Sequence, residues 1–214
     1  MKSTKNLIKE NFVTEIKHIS KSKLPTKWGN FEIHVFLENK TNKEHIVMKM
    51  GDFVDGKQVL ARIHSECLTG DALFSQRCDC GAQLELALEK ISKERRGILL
   101  YLRQEGRGIG IANKIRAYNL QDKGADTVEA NLNLGFEDDL RNYNICQPLL
   151  RYFEIRSLKL MTNNPQKIES LLNLNFSVER QEHVVNINDH NINYLKTNSQ
   201  KLGHLFDIPP NKCN

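Results

Sequence analysis

The chain has 214 residues, enough for one sizeable domain or two small ones, and its 39% hydrophobic content lies in the globular range. The 31 Lys and Arg against 26 Asp and Glu give a net charge of +5 spread along the sequence, which favours an anionic ligand and argues against nucleic acid, whose binders concentrate their basic residues. No stretch approaches the ~18 apolar residues of a membrane span, Met1–Glu10 has no signal-peptide run, and five cysteines form no disulfide framework, so a cytoplasmic protein with no membrane partner is expected.

Residues 1–22 are polar and lysine-rich and read as a flexible or weakly helical extension. From Phe31 apolar and polar residues alternate through Leu37; Ile46-Val-Met48 and Val59–Ile63 follow, which predicts an antiparallel set of strands leading into a cysteine-rich loop. Leu84, Ala87, Leu88 and Ile91 recur with helical spacing up to about Glu94. Gly97–Leu102 reads as a buried strand, and Arg103–Gly110 as a glycine-rich turn opening a helix through Leu120, a geometry whose free N–H groups suit an anion. Thr127–Asn131 is predicted as a short strand, Asp138–Phe153 as a helix with Cys146 in its core stripe, and Ser157–Met161 as a strand. Asn164 and Pro165 cap and start another helix. Past Val185 the chain is asparagine-rich, with a mobile surface segment over 186–200 and a weak helix near Tyr194–Leu205. The fold class is mixed α/β, with N-terminal antiparallel strands and a core of helices around a mixed sheet.

Cys67, Cys78 and Cys80 stand in the pattern C-x10-C-x-C among polar residues. Three thiolates from one loop suit a tetrahedral zinc with an open, catalytic fourth position, but His64 is near enough in sequence to close a structural Cys3His centre, and spacing alone does not choose. In Gln104-Glu-Gly-Arg107, Glu105 has the chemistry to accept two parallel hydrogen bonds from an edge such as guanine's and Arg107 to pair with phosphate; a solvated surface loop is the plainer alternative. Lys114 and Tyr118 share one helix face, Asp139 and Arg141 sit two apart, and Thr162 and Lys167 flank the proline-started helix. Together these clusters fit a nucleotide hydrolase better than the alternative, a zinc-stabilised nucleotide- or partner-binding module without catalysis.

The run Arg62–Gly81, with Arg103–Gly110, Asp126–Asn131 and Thr162–Pro165, closely resembles the GTP cyclohydrolase II family of riboflavin biosynthesis, over about Lys23 to Phe206. The resemblance implies a catalytic domain over 23–206 with a tail at 207–214, and no room for an upstream dihydroxybutanone phosphate synthase domain. It also implies hydrolysis of GTP to formate, pyrophosphate and 2,5-diamino-6-ribosylamino-4(3H)-pyrimidinone 5′-phosphate. By resemblance, Cys67, Cys78 and Cys80 hold one zinc, whose hydroxide adds to C8 of the guanine; Arg62, Ile63, His64, Ser65, Glu66, Gln83, Glu105, Gly106, Arg107, Thr127, Thr162 and Lys167 line the GTP site. Asp139 is implied as proton acceptor, Arg141 as the group attacking the α-phosphate and Tyr118 as an aid to the ring chemistry, with magnesium on the triphosphate and a homodimer as further expectations. An always-protonated guanidinium makes electrostatic stabilisation the more defensible role for Arg141. Thr197-Asn198 stands where the family tends to show Thr-Lys.

Overall fold

The computed structural model describes residues 14–137, 139–185 and 187–206. A seven-stranded mixed sheet carries the fold: β1 (Ile16–Thr26), β2 (Gly29–Glu38), β3 (Lys43–Met50), β4 (Val59–Ser65), β5 (Gly97–Leu102), β6 (Ser157–Met161) and β7 (Ser177–Gln181), in the order β1-β2-β3-β5-β4-β6-β7. The first three strands form an antiparallel meander that joins β5, while β5, β4, β6 and β7 run parallel to one another.

Alternation along the central strands divides the core between the two faces of the sheet. Val59, Ala61 and Ile63 of β4 and Ile98, Leu100 and Leu102 of β5 point to one side, where α5 (Cys146–Tyr152) and α6 (Pro165–Asn173) cover them with Cys146, Leu149, Leu150 and Leu171. Leu60 and Leu99 point to the other, against Ala87, Leu88 and Ile91 of α2 (Cys80–Glu94). Cys146 is fully buried, as its place in the apolar stripe predicts. Cys213 lies outside the described residues.

Five local expectations give way. The polar stretch up to residue 22 is not all extension: residues 16–22 are the first part of β1, an edge strand whose lysines face solvent, as charged edges commonly do; residues 1–13 lie outside the described residues. β4 is parallel to β5, because α2 intervenes as a crossover between them, so the antiparallel set ends at β3. Thr127–Asn131 is not a strand but part of α4 (Thr127–Asn133), begun by a capping box: the Asp126 side chain accepts from the N–H of Val128 and Glu129, and the Glu129 side chain accepts from the N–H of Asp126. Of the helix expected over Asp138–Phe153, only Cys146–Tyr152 forms. The segment before it is held open by side chains that take up backbone donors, Asp139 from the Arg141 N–H and Asn142 from the Asn144 N–H. The mobile segment expected over 186–200 gives way in part to α7 (Ile192–Leu202), which overlaps the weak helix expected near Tyr194–Leu205 and buries Leu195 and Asn198.

Candidate active site

Parallel strands bring their carboxyl ends to one edge, and ligands of open α/β sheets gather there. β4 ends at Ser65 before the cysteine loop, β5 at Leu102 before the glycine-rich turn, and β6 at Met161 before Thr162. Three segments distant in sequence thus meet at one rim.

In the cysteine loop, α1 (Leu68–Asp71) and the first turn of α2 fold back on each other. The sulfurs of Cys67 and Cys78 are 3.6 Å apart, and the three Sγ atoms all lie within 4.8 Å of one another. Sulfurs bound to a tetrahedral zinc at ~2.3 Å stand roughly 3.8 Å apart, so the trio fits that ion. Gly70 makes the closure possible: a Cβ on it would lie 2.9 Å from Cys78 Sγ and 3.2 Å from Cys67 Sγ. Hydrogen bonding among the sulfurs holds the Cys67 thiol far down while pushing Cys78 up to about 12 and Cys80 up as well. Only Cys67 ionises readily by itself, so holding all three sulfurs as thiolates would require a cation among them, which a metal would supply.

His64 does not close the shell. Its Nε2 lies 3.0 and 3.1 Å from the two carboxylate oxygens of Asp71, and its Nδ1 is buried without a partner. Asp71, which sequence reading passed over, also accepts from the Cys67 N–H at 2.9 Å and the Tyr101 hydroxyl at 2.8 Å, so one buried carboxylate fixes the loop's entry. Among the described residues the metal-capable group is the cysteine trio alone.

The glycine-rich turn, Glu105–Gly108, has Gly106 and Arg107 at φ 60 and 58, a left-handed path that is strained for an arginine. Glu105 is 9% exposed and already engaged: Oε1 accepts from Lys114 Nζ at 2.8 Å and the Gly106 N–H at 2.9 Å, and Oε2 from the Leu68 N–H at 2.6 Å. A carboxylate offers about four lone-pair positions. Three of them are taken by Lys114, Gly106 and Leu68 in this arrangement. Lys114, on α3 (Gly110–Gln121), also donates to Cys67 Sγ at 3.0 Å. Burial works against its charge, but the Cys67 sulfur and Glu105 outweigh it and raise its pKa.

A cavity of about 570 Å³ opens beside the cysteines, within the usual range for ligand sites. Of the expected site residues it is lined by Ser65, Glu66, Cys67, Cys78, Cys80, Glu105, Gly106, Arg107, Tyr118, Thr127 and Arg141. Tyr118 presents its hydroxyl 3.3 Å from Thr69 Oγ1, with the Arg77 guanidinium 4.6 Å over its ring, and burial raises its pKa. Arg62, Ile63, His64, Gln83, Asp139, Thr162 and Lys167 do not line the cavity. Arg62 donates to Met161 O at 2.9 Å and to Gln83, and Lys167 donates to Ile63 O at 2.9 Å. Burial pulls the Lys167 ammonium well below its ordinary value, with Arg62 and Arg141 adding like charge.

Asp139 and Arg141 are one unit. Arg141 Nε lies 2.8 and 3.0 Å from the two Asp139 oxygens, and its Nη2 donates to Oδ2. Burial raises the Asp139 carboxyl, but Arg141 outweighs it and leaves the group below its ordinary value; burial likewise lowers Arg141, while Tyr143 and Asp139 hold it up. An acid held ionised beside a cation held charged gives an electrostatic clamp. The helix expected near Tyr194–Leu205 forms as α7, but sequence reading gave it no part in the site, whereas it adds Tyr194, Lys196, Thr197, Gln200 and Lys201 to the cavity wall. Its polar spacing carries no motif; tertiary ties such as those of Arg107 to Asn198 and Lys201 to Asp126, with the burial of Leu195, bring it here.

The GTP cyclohydrolase II family model matches residues 17–183. A GTP cyclohydrolase-2 of Teredinibacter turnerae is 58% identical over 193 residues, 90% of this chain and 97% of that protein, and one of Hahella chejuensis is 60% identical over 192 residues, 89% and 93%. Among solved structures, a two-domain 3,4-dihydroxy-2-butanone 4-phosphate synthase from A. baumannii aligns with a TM-score of 0.47 at 16% identity, over 82% of this chain and 42% of that one. With its matched region running from β1 past β7 and taking in the cysteine trio, the glycine-rich turn and the Asp139–Arg141 pair, the chain belongs to the GTP cyclohydrolase II family.

Proposed function

We propose that this chain hydrolyses GTP to formate, pyrophosphate and 2,5-diamino-6-ribosylamino-4(3H)-pyrimidinone 5′-phosphate, using one zinc held by Cys67, Cys78 and Cys80 and magnesium on the triphosphate. The observation that carries the reading is a metal-spaced cysteine trio on the wall of a cavity where Arg77, Arg107, Lys114, Arg141, Lys196 and Lys201 outnumber Glu66, Glu105 and Asp126. When bound, zinc supplies a water that ionises near neutral pH. Two ring C–N bonds and one phosphoanhydride are broken, each consuming one water. Tyr118, kept protonated by burial, serves as proton donor beside the ring. Arg107 and Arg141 bind phosphate oxygens, and Arg141 stabilises charge developing on the α-phosphate rather than attacking it, since Asp139 holds it cationic. That pairing also makes Asp139 a weak proton acceptor. Glu105 keeps one acceptor position for the base, while Ser65, Glu66, Gly106 and Thr127 shape the cavity. Arg62, Ile63, His64, Gln83, Thr162 and Lys167 support the cavity from behind its wall, where Arg62 and Lys167 tie β4 to Met161, Gln83 and α6.

We place the catalytic unit at β1 through α7 rather than starting it at Lys23, in a cytoplasmic homodimer. Free, metal-spaced cysteines support a reducing compartment. Incubating the pure protein with GTP and separately with ATP is the test: formate and pyrophosphate are expected from GTP alone. Intact GTP, or equal turnover of both nucleotides, would overturn the assignment.

A further inference from the structure

Lys114 is buried to 9% exposure, and its ammonium stands between two anions, 3.0 Å from the Cys67 sulfur and 2.8 Å from Glu105 Oε1. The Glu105 carboxylate is fixed in turn by the Leu68 N–H, on the residue after Cys67, so metal loop, glycine-rich turn and α3 are joined through one cation. The backbone is shaped to admit that side chain. Gly106 runs at φ +60, and a Cβ there would meet Lys114 Cβ at 3.1 Å. Three thiolates around a dication leave one negative charge over, and a charge buried without compensation is costly. Among the described residues, Lys114 is the cation bonded to a ligand sulfur.

We propose that Lys114 is a positioning residue of the metal centre: its ammonium donates to the Cys67 sulfur, offsets the charge left by the three thiolates and keeps Glu105 from facing that sulfur unscreened. This rests on the metal-centre reading above. An N–H donor on a thiolate draws electron density from it, so it makes charge transfer from sulfur to a bound metal harder, an effect that packing alone does not produce. Partners of this kind outside the ligand shell typically change metal affinity by ~10–100-fold.

The test loads the full-length protein with cobalt and compares it with K114M, K114Q and K114R, each checked for folding by circular dichroism. The two neutral variants are expected to bind cobalt ~10–100-fold more weakly and to move the sulfur-to-cobalt band to longer wavelength, while K114R, keeping a cation and N–H donors, stays nearer the parent in both. Neutral variants that fold and match the parent in affinity and band overturn the proposal. If the neutral variants do not fold and K114R does, the buried positive charge is what the loop needs, which supports it. If K114R behaves as they do, the lysine's shape is what matters and the proposal fails. A parent protein that takes up no cobalt overturns the metal-centre reading itself, a failure distinct from loss of the Lys114 effect.

Discussion

The cysteine side of the cavity comes from one continuous stretch, Cys67 to Cys80, whose polar groups are held by buried carboxylates: Asp71 takes the Cys67 N–H, and Glu105 takes that of Leu68. The α7 side comes from residues 192–202 and attaches through Arg107 to Asn198 and Lys201 to Asp126, leaving the half-buried Lys196 without a hydrogen-bond partner among the described residues. One side is pre-built around a fixed charge pattern; the other offers cations that a ligand can take up. On the proposed function, bond-breaking is expected of the first and anion capture of the second, since preorganised groups contribute most where a reaction changes charge.

The sharpest way to break that division is at the sulfurs. Serine at Cys67, Cys78 or Cys80 is expected to abolish formate release, removing several kcal/mol of barrier lowering, in a protein whose circular dichroism is unchanged and whose zinc content has fallen. Next comes the Asp139–Arg141 clamp. Asp139→Asn leaves a buried guanidinium uncompensated and is expected to lower stability in urea by about 3 kcal/mol. Its pH dependence has a definite sign: the folded carboxyl lies below its ordinary value, so its stabilising share is present above ~3.9 and is lost as pH falls through the lowered value. The Asn variant should lack that acid limb.

Gly70→Ala probes the cysteine side by size alone. A methyl 2.9 Å from Cys78 Sγ must push the sulfurs apart, at a cost of about 1–3 kcal/mol. Faster loss of zinc to a chelator is the readout, and an unchanged rate would mean that the loop tolerates the added atom. The smallest effect belongs to α7. Lys196→Ala is expected to raise the KM for GTP ~5-fold, about 1 kcal/mol, with kcat little changed, as befits binding energy shared by substrate and transition state. A fall in kcat of the same size would place α7 in the chemistry after all.

What could be read beforehand follows the same divide. The cysteine spacing, the amphipathic α2 and the Asn164–Pro165 helix start are local patterns, and each appears where its residues place it. The Asp126 and Glu129 pair was equally local, but the β-branched Thr127-Val128 hid a capping box that makes α4 a helix. Asp139 and Asn142 broke a helical period because their side chains take up the N–H groups of Arg141 and Asn144, which periodicity does not register. The contribution of α7 depends on contacts with residues some seventy to ninety positions earlier, Asp126 and Arg107, and polar composition carries no trace of them. For Glu105, the residue type suggested a reader of the base, while the number of bonds it already makes is a property of the folded neighbourhood.

The shortness of the cysteine segment also sets the order in which the molecule assembles. Bringing Cys80 to Cys67 closes a separation of 80 − 67 = 13 residues, whereas bringing Lys196 to the same point closes 196 − 67 = 129. Loop-closure entropy rises with the logarithm of length, so the tenfold difference is worth about 2 kcal/mol in favour of the short loop. On a chain emerging from the ribosome, the thiolates can be gathered by a metal ion long before the residues of α7 have been synthesised.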